Sequence, residues 1–283
     1  MQDAFGYCET LVRSAEKDRY LATLFAPERY REPLFALYAF NAEVLRVRER
    51  AREPMTGEIR LQWWRDVFAG ERAGEAGAHP VAAALLATVA QFNLPSQKLA
   101  DLLEARGFDL YDDPMGSIDE LEGYAARTSS ALMELAARIL NDGSDPGIGT
   151  LARHAGTAYA IAVLLGAFAL HASRRQLYLP LHFLRRHGVH AEDIFAGRVT
   201  PELRAALADL RAHARSHLAE ARKTLADMAP EMEPAVLPAA LAGPMLDRME
   251  RRGYDPFAPD PLPQWRRQWI LWRAARKPAR ILD

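Results

Sequence analysis

Two histidines and a short acidic run are the first residues of this chain to consider as metal ligands or catalytic groups. His213 and His217 are four residues apart, so a helix would place both imidazoles on one face, as in the helix of a zinc protease. That helix needs a glutamate directly after the first histidine, and position 214 is alanine. We therefore interpret the pair as solvated or internally satisfied.

The acidic run contains Asp109, Asp112 and Asp113. Carboxylates at this spacing share a helical face and could hold a metal ion. Gly107 before the run and Pro114 after it favour a loop with helix caps instead. The single cysteine excludes an intramolecular disulfide framework and is typical of a reducing compartment.

Arginines form two groups that could bind an anion directly. A guanidinium binds a phosphate through two parallel hydrogen bonds, without a metal. Arg46 and Arg48 form one group, and Arg174 and Arg175 form the other. The reading that we favour for the first group is an exposed helix end with internal salt bridges, because these arginines alternate with Glu49.

The elements that must position these residues are helices. Apolar residues recur at helical spacing, and no hairpin dipeptide lies between alternating apolar runs. With 49% hydrophobic residues the chain can bury a sizeable core, which predicts one all-α domain. The predicted helices cover about 33–50, 58–69, 82–92, 95–106, 119–141, 148–171 and 201–228, with a short one within 188–200 and a loop over 70–80.

Charge and hydropathy limit the partners. The net charge of −1 argues against a general nucleic-acid binder. The N-terminus lacks a signal pattern, and the longest apolar stretch, 158–170, is too short to span a bilayer. We expect a cytoplasmic protein, peripheral on the inner face of the cytoplasmic membrane.

The C-terminal segment 262–283 is basic and rich in tryptophan. Trp265, Trp269 and Trp272 share one helical face, and six basic residues accompany them. Such a helix is attracted to a membrane surface or an acidic partner. The reading that we favour is that the tryptophans pack on the protein core as its last helix, with the arginines in solvent, and both readings can be partly true. The basic residues are Arg266, Arg267, Arg273, Arg276, Lys277 and Arg280.

A series of short segments, in order over about 220 residues, resembles the squalene/phytoene synthase family. The resemblance implies a single domain over 1–283, an isoprenoid-synthase-like bundle of helices around a central cavity. It also makes Tyr38, Asn41 and Tyr178 candidates for a ligand pocket, together with the arginines at 46, 48, 174 and 175. The segments are Tyr38–Asn41, Leu61–Asp66, His79–Leu85, Gly107–Leu110, Tyr124–Ser130, Gly156–Ala158, Arg174–Pro180 and Arg252–Phe257.

In that family, two aspartate-rich motifs hold magnesium, which grips a prenyl diphosphate so that it can ionise. When the motif positions of the family are matched residue by residue to this sequence, one carboxylate remains, that of Glu49, and the other positions have lost their acids. The first motif falls on Leu45, Arg46 and Glu49, and the second on Ala167, Leu170 and His171. The resemblance therefore implies no catalytic residue and no metal cofactor.

In the loss of these aspartates, the chain resembles one branch of the family. That branch is the mitochondrial complex I assembly factor with a phytoene-synthase-like domain, together with its bacterial counterparts. The branch implies a non-catalytic protein that assists assembly of respiratory complex I, with its subunits or assembly intermediates as partners. Two other readings stay open. One is an active head-to-head prenyl transferase that binds Mg²⁺ through Glu43, Glu49 or the acidic run. The other is a carrier of an isoprenoid or quinone-like lipid.

Overall fold

The helices follow one another almost without interruption in a computed structural model that describes residues 2–51 and 53–282. About 75% of the chain is helical, and no strand occurs among these residues, so the all-α prediction is confirmed. The α-helices are α1 (Gln2–Ala15), α2 (Lys17–Thr23), α3 (Glu28–Leu45), α4 (Val47–Arg50), α5 (Pro54–Ala69), α6 (Ala73–Ala78), α7 (Pro80–Gln91), α8 (Ser96–Gly107), α9 (Ile118–Ala125), α10 (Ala131–Leu140), α11 (Gly149–Gly166), α12 (Phe168–Ser173), α13 (Leu181–His187), α14 (Ala191–Phe195), α15 (Pro201–Leu225), α16 (Glu233–Val236), α17 (Ala242–Met249) and α18 (Gln264–Ala275).

Shorter turns join some of these helices. The segment Ala126–Ser130 is π-helical and connects α9 to α10. The 3-10 turns are Phe108–Leu110, Pro230–Met232, Leu237–Leu241 and Pro278–Arg280.

The chain divides into two compact units, each assembled from three separate stretches. The first unit contains the residues up to Tyr111, then Ala131–Gly149 and Met228–Pro238. The second contains Asp112–Ser130, Thr150–Asp227 and the residues from Ala239 onwards. A single domain over 1–283 with a central cavity stays a prediction. Met1 and Asp283, the first and last residues of that range, lie outside the described residues, and Asp283 is also the last residue of the segment 262–283.

Helix α3 is the centre of the first unit, where it packs against α1, α7 and α10. It begins at Glu28, so the predicted start at 33 is wrong, and Pro33 lies in the helix interior. A proline there removes one backbone hydrogen bond. Because every side chain from Leu34 to Asn41 is buried, packing offsets that loss. The helix ends at Leu45, not at 50, and α4 follows it.

Three further element predictions need correction. The predicted loop over 70–80 contains α6, whose Ala76 is buried. The predicted helix 119–141 contains the π-helical turn, which puts Thr128, Ser129 and Ser130 in the interior. The predicted helix 148–171 is interrupted at Ala167, which separates α11 from α12.

Helix α15 is the longest element of the second unit and packs against α13 and α17. The Thr200 hydroxyl accepts a hydrogen bond from the backbone N–H of Leu203 at 3.1 Å, which caps its N-terminus. Its buried residues recur every three or four positions, as expected of an amphipathic helix.

Helix α18 packs through a face that the tryptophan pattern does not predict. Leu271 and Ala274 are its buried residues. Trp265, Trp269 and Trp272 are 69%, 50% and 46% exposed, so the prediction that they pack on the core is wrong. The guanidinium of Arg276 lies over the ring of Trp272, 4.3 Å from its centre. The tryptophan face is available to a partner.

Candidate functional site

The first degenerate motif lies where helix α3 is interrupted, within the first unit. Leu45 is the last residue of α3 and is exposed, Arg46 lies between the two helices, and Glu49 is an exposed residue of α4. Leucine and arginine offer no oxygen ligand to a hard cation such as Mg²⁺. One carboxylate remains on this segment.

Tyr38 and Asn41 precede this motif on α3 and are buried in the interior of the first unit. The Asn41 side-chain amide donates a hydrogen bond to Glu16 at 2.6 Å. The guanidinium of Arg19 pairs with Glu16 and lies 5.6 Å from the ring centre of Tyr38. Burial raises the pKa of Tyr38 to about 12, so its hydroxyl stays protonated. These contacts give both predicted pocket residues a structural role in this unit.

Two other carboxylates that could hold magnesium, those of Glu43 and Asp109, have surroundings that disfavour the ion. Burial raises the pKa of Glu43 to about 7, against the lowering effect of nearby arginines, and a carboxyl that is partly protonated at neutral pH is a weak ligand. The Nε2 atom of His79 lies 3.6 Å from that carboxyl. Asp109 pairs with Arg106 at 3.1 Å. As the loop reading predicted, the acidic run occupies a 3-10 turn and the non-helical residues after it.

Cys8 is also excluded as a nucleophile. Its side chain is buried in α1, and burial, followed by the charge of Glu43, raises the pKa of the thiol to about 12. The reactive form of a cysteine is the thiolate, which is absent at neutral pH when the pKa is this high.

The second degenerate motif lies where α11 meets α12, within the second unit. Ala167 separates the two helices and Leu170 is exposed. His171 is half-buried, and its ring centre lies 4.6 Å from that of Tyr178. The side chain of Phe168, beside the motif positions, is buried against Phe257. Carboxylates are absent from all three motif positions of this segment.

An apolar pocket adjoins the second motif. Its free volume is about 10 Å³, which is room for about one water molecule and far below the roughly 300–1,000 Å³ of pockets that hold a drug-sized ligand. His171, Gln176 and Tyr178 are the polar groups that line it. The remaining lining side chains are Leu121, Ile161, Leu164, Leu165, Phe168, Leu177, Leu179 and Leu210.

The predicted anion-binding arginines do not line this pocket. Arg175 donates a hydrogen bond to Glu192 at 2.7 Å and lies over the ring of Phe195. Arg174 is exposed at the end of α12. The structure therefore brings together His171 and Tyr178, with Gln176 as a lining residue that the sequence did not single out. Gln176 lies within the segment Arg174–Pro180, which resembles the family, and this position is the sequence feature that could have identified it as a pocket residue.

Comparison with known proteins decides the family. The squalene/phytoene synthase family model matches residues 12–273 of this chain. The chain belongs to the squalene/phytoene synthase family. A crystal structure of a dehydrosqualene synthase in complex with ligand superposes with a TM-score of 0.84, at 18% identity, over 97% of this chain and 96% of that one. The isoprenoid synthase fold is thereby confirmed.

Two curated relatives differ in what they are named for. A rat protein named NADH dehydrogenase (ubiquinone) complex I, assembly factor 6 is 32% identical over 257 residues, which cover 91% of this chain and 77% of that protein. A phytoene synthase of Thermus thermophilus is 28% identical over 279 residues, which cover 95% of this chain and 93% of that enzyme. The squalene/phytoene synthase fold is thus shared by relatives named as enzymes and relatives named as assembly factors.

Proposed function

We propose that this member of the squalene/phytoene synthase family is a non-catalytic factor that assists assembly of respiratory complex I. The observation that carries the proposal is the similarity, over 91% of the chain, to a rat protein named as a complex I assembly factor. Subunits or assembly intermediates of that complex are the partners it implies.

The chemistry of the motif positions supports a non-catalytic role. Ionisation of an allylic diphosphate needs cations that neutralise the leaving group, and magnesium takes oxygen ligands. Glu49 is the one carboxylate left at the six positions. Glu43 is half-buried with a raised pKa, and Asp109 is paired with an arginine. The alternative function, a prenyl transferase with atypical ligands, needs a gathered set of carboxylates, and the described residues of neither unit provide one.

A lipid-binding role is compatible with assembly work and rests on the pocket in the second unit. Its walls are mainly leucine, isoleucine and phenylalanine, which suit the branched hydrocarbon of an isoprenoid or quinone-like tail once these side chains move apart to admit it, since the free volume is about 10 Å³. His171 and Tyr178 supply polar groups at this pocket for a head group.

Contact with a membrane surface is the third part of the proposal. Among residues 2–51 and 53–282, no helix combines the length and apolarity that crossing a bilayer requires. The segment 262–282 has six basic residues and no acidic one, and α18 exposes three tryptophans. Tryptophan rings prefer the head-group region, and basic side chains are attracted to anionic lipids. We place this helix on the inner face of the cytoplasmic membrane.

Pyrophosphate release distinguishes these roles from catalysis. We expect the purified protein to release no pyrophosphate from farnesyl or geranylgeranyl diphosphate with Mg²⁺, while the Thermus thermophilus phytoene synthase serves as the positive control. The double variant Leu45→Asp/Ala167→Asp should also be inactive, because three further motif positions still lack acids. Release by either protein would contradict the non-catalytic role. Binding without release, measured by calorimetry, would support the lipid-binding part.

A further inference from the structure

Four ionisable side chains form a cluster within the second unit that the degenerate motifs do not include. His213 and His217 lie on successive turns of α15, and Glu122 lies on α9. The Glu122 carboxylate accepts from His213 Nε2 at 2.8 Å and from His217 Nε2 at 3.2 Å. His154, on α11, places its Nδ1 atom 3.0 Å from Nδ1 of His217.

The ligand atoms of this cluster have the separations of a metal site. The two Nε2 atoms are 3.2 Å apart, and both are directed at the same oxygen of Glu122. A zinc ion about 2.0–2.1 Å from each ligand at tetrahedral angles separates its donor atoms by about 3.3 Å. A small outward shift of the Glu122 carboxylate, which is 34% exposed, makes room for the ion.

We propose that Glu122, His213 and His217 form a binding site for Zn²⁺ or a similar borderline divalent cation. Two imidazoles and one carboxylate are a ligand set that zinc uses when it keeps a fourth position open for water. Imidazole nitrogen favours zinc over magnesium, so this site is chemically distinct from the lost aspartate motifs. Zinc binding requires no glutamate at position 214, because in a zinc protease that glutamate is the general base and not a ligand.

The hydrogen bonds around His217 show what the ion must rearrange. Arg153 has only donors, and its guanidinium lies 2.7 Å from Nε2 of His154. In the metal-free protein, His154 therefore accepts through Nε2 and donates through Nδ1 to His217, whose own proton is on Nε2 and is donated to Glu122.

Zinc on Nε2 of His217 moves that proton to Nδ1, where His154 becomes its acceptor. The proton of His154 then lies on Nε2, and Arg153 must turn away from it. Arg153 is exposed, so this movement disturbs no packing. A second imidazole that accepts the ligand's N–H fixes the tautomer, as partners of metal-bound histidines do.

Zinc titration of the full chain tests the site. The purified protein is stripped of metal with a chelator and titrated with Zn²⁺ against a chromogenic chelator, and with Co²⁺ by visible absorption. We expect one ion per chain, undisturbed by excess Mg²⁺, with the intense visible bands of tetrahedral cobalt. His213→Ala and Glu122→Gln should each weaken zinc binding by about tenfold or more.

The matched control is His190→Ala, which removes an exposed histidine outside the cluster and should leave zinc binding unchanged. Circular dichroism of each metal-free variant verifies that it is folded, and Glu122→Gln preserves side-chain shape if His213→Ala is unstable. Absence of bound zinc in the wild-type protein would overturn the proposal. So would an equal loss in His190→Ala and His213→Ala, since that result indicates scattered surface histidines.

Discussion

Replacing Gly156 with alanine is expected to lower the free energy of unfolding by about 3 kcal/mol, at the upper end of typical overpacking costs. A β-carbon at this position would lie 2.6 Å from the α-carbon and 2.7 Å from the backbone nitrogen of Ser130. These are backbone atoms, so α11 and the π-helical turn would have to separate. The Ser130 hydroxyl, which donates to the Arg153 carbonyl at 3.3 Å, would lose that partner.

Gly123→Ala is the matched control, because a β-carbon on this residue of α9 would meet no atom within 4 Å. Alanine is favoured over glycine in a helix interior, so this variant should be stabilised by about 0.5–1 kcal/mol. Thermal unfolding followed by circular dichroism should show Gly156→Ala melting roughly 6–12 °C lower and Gly123→Ala melting no lower than wild type. Equal behaviour of the two variants would refute the close contact.

Replacing the three exposed tryptophans of α18 with serine is expected to weaken binding to anionic vesicles by about 100-fold or more, because three large apolar rings no longer leave water. The rings of Trp265, Trp269 and Trp272 point away from the face that packs through Leu271 and Ala274, so folding should be unaffected. Co-sedimentation with vesicles of phosphatidylglycerol and phosphatidylcholine measures the partition coefficient. Added salt should weaken wild-type binding, because it screens the arginines.

The control for this variant removes other exposed apolar side chains. Met55 and Ile59 lie on α5 in the first unit and are as exposed as the tryptophans. Met55→Ser/Ile59→Ser should bind vesicles like the wild type. Equal losses in both variants, or vesicle binding that persists without the tryptophans, would contradict the membrane role. Capture of an acidic protein with no vesicle binding would assign the face to a protein partner instead.

The class of fold was predictable because helical periodicity extends through the chain and hairpin signals are missing. The ordered segments from Tyr38 to Phe257 added the family, which a periodicity argument cannot supply. Two of these segments meet where Gly156 crosses Ser130. A glycine and a serine in such a contact give no local signal, since the need for a small residue arises only when two helices pack together.

Element boundaries were less predictable where tertiary contacts override local preference. Pro33 looks like a first-turn proline, but burial of its neighbours carries α3 back to Glu28. On α18 the tryptophans form the more obvious apolar stripe, yet the smaller face of Leu271 and Ala274 is the buried one. Two apolar faces on one helix leave the sequence unable to say which of them contacts the protein.

The histidine cluster marks the limit of reading sites from spacing. His213 and His217 are recognisable as a helical pair, but Glu122 is 91 residues from the first of them. His154 is 63 residues from His217. Only the packing of α9 and α11 against α15 brings these groups within hydrogen-bonding distance. The motif positions, in contrast, could be identified from sequence because neighbouring residues fix their alignment.

The central claim is that this chain serves complex I assembly without diphosphate chemistry, and complementation of a deletion strain tests it most directly. The measurement is the amount of assembled complex I in membranes, from native gels and NADH oxidation. We predict that deletion depletes the complex and that both the wild-type chain and Glu49→Gln restore it, because the last motif carboxylate holds no essential magnesium. Unchanged complex I after deletion, or failure of Glu49→Gln with loss of a prenyl product, would contradict the claim.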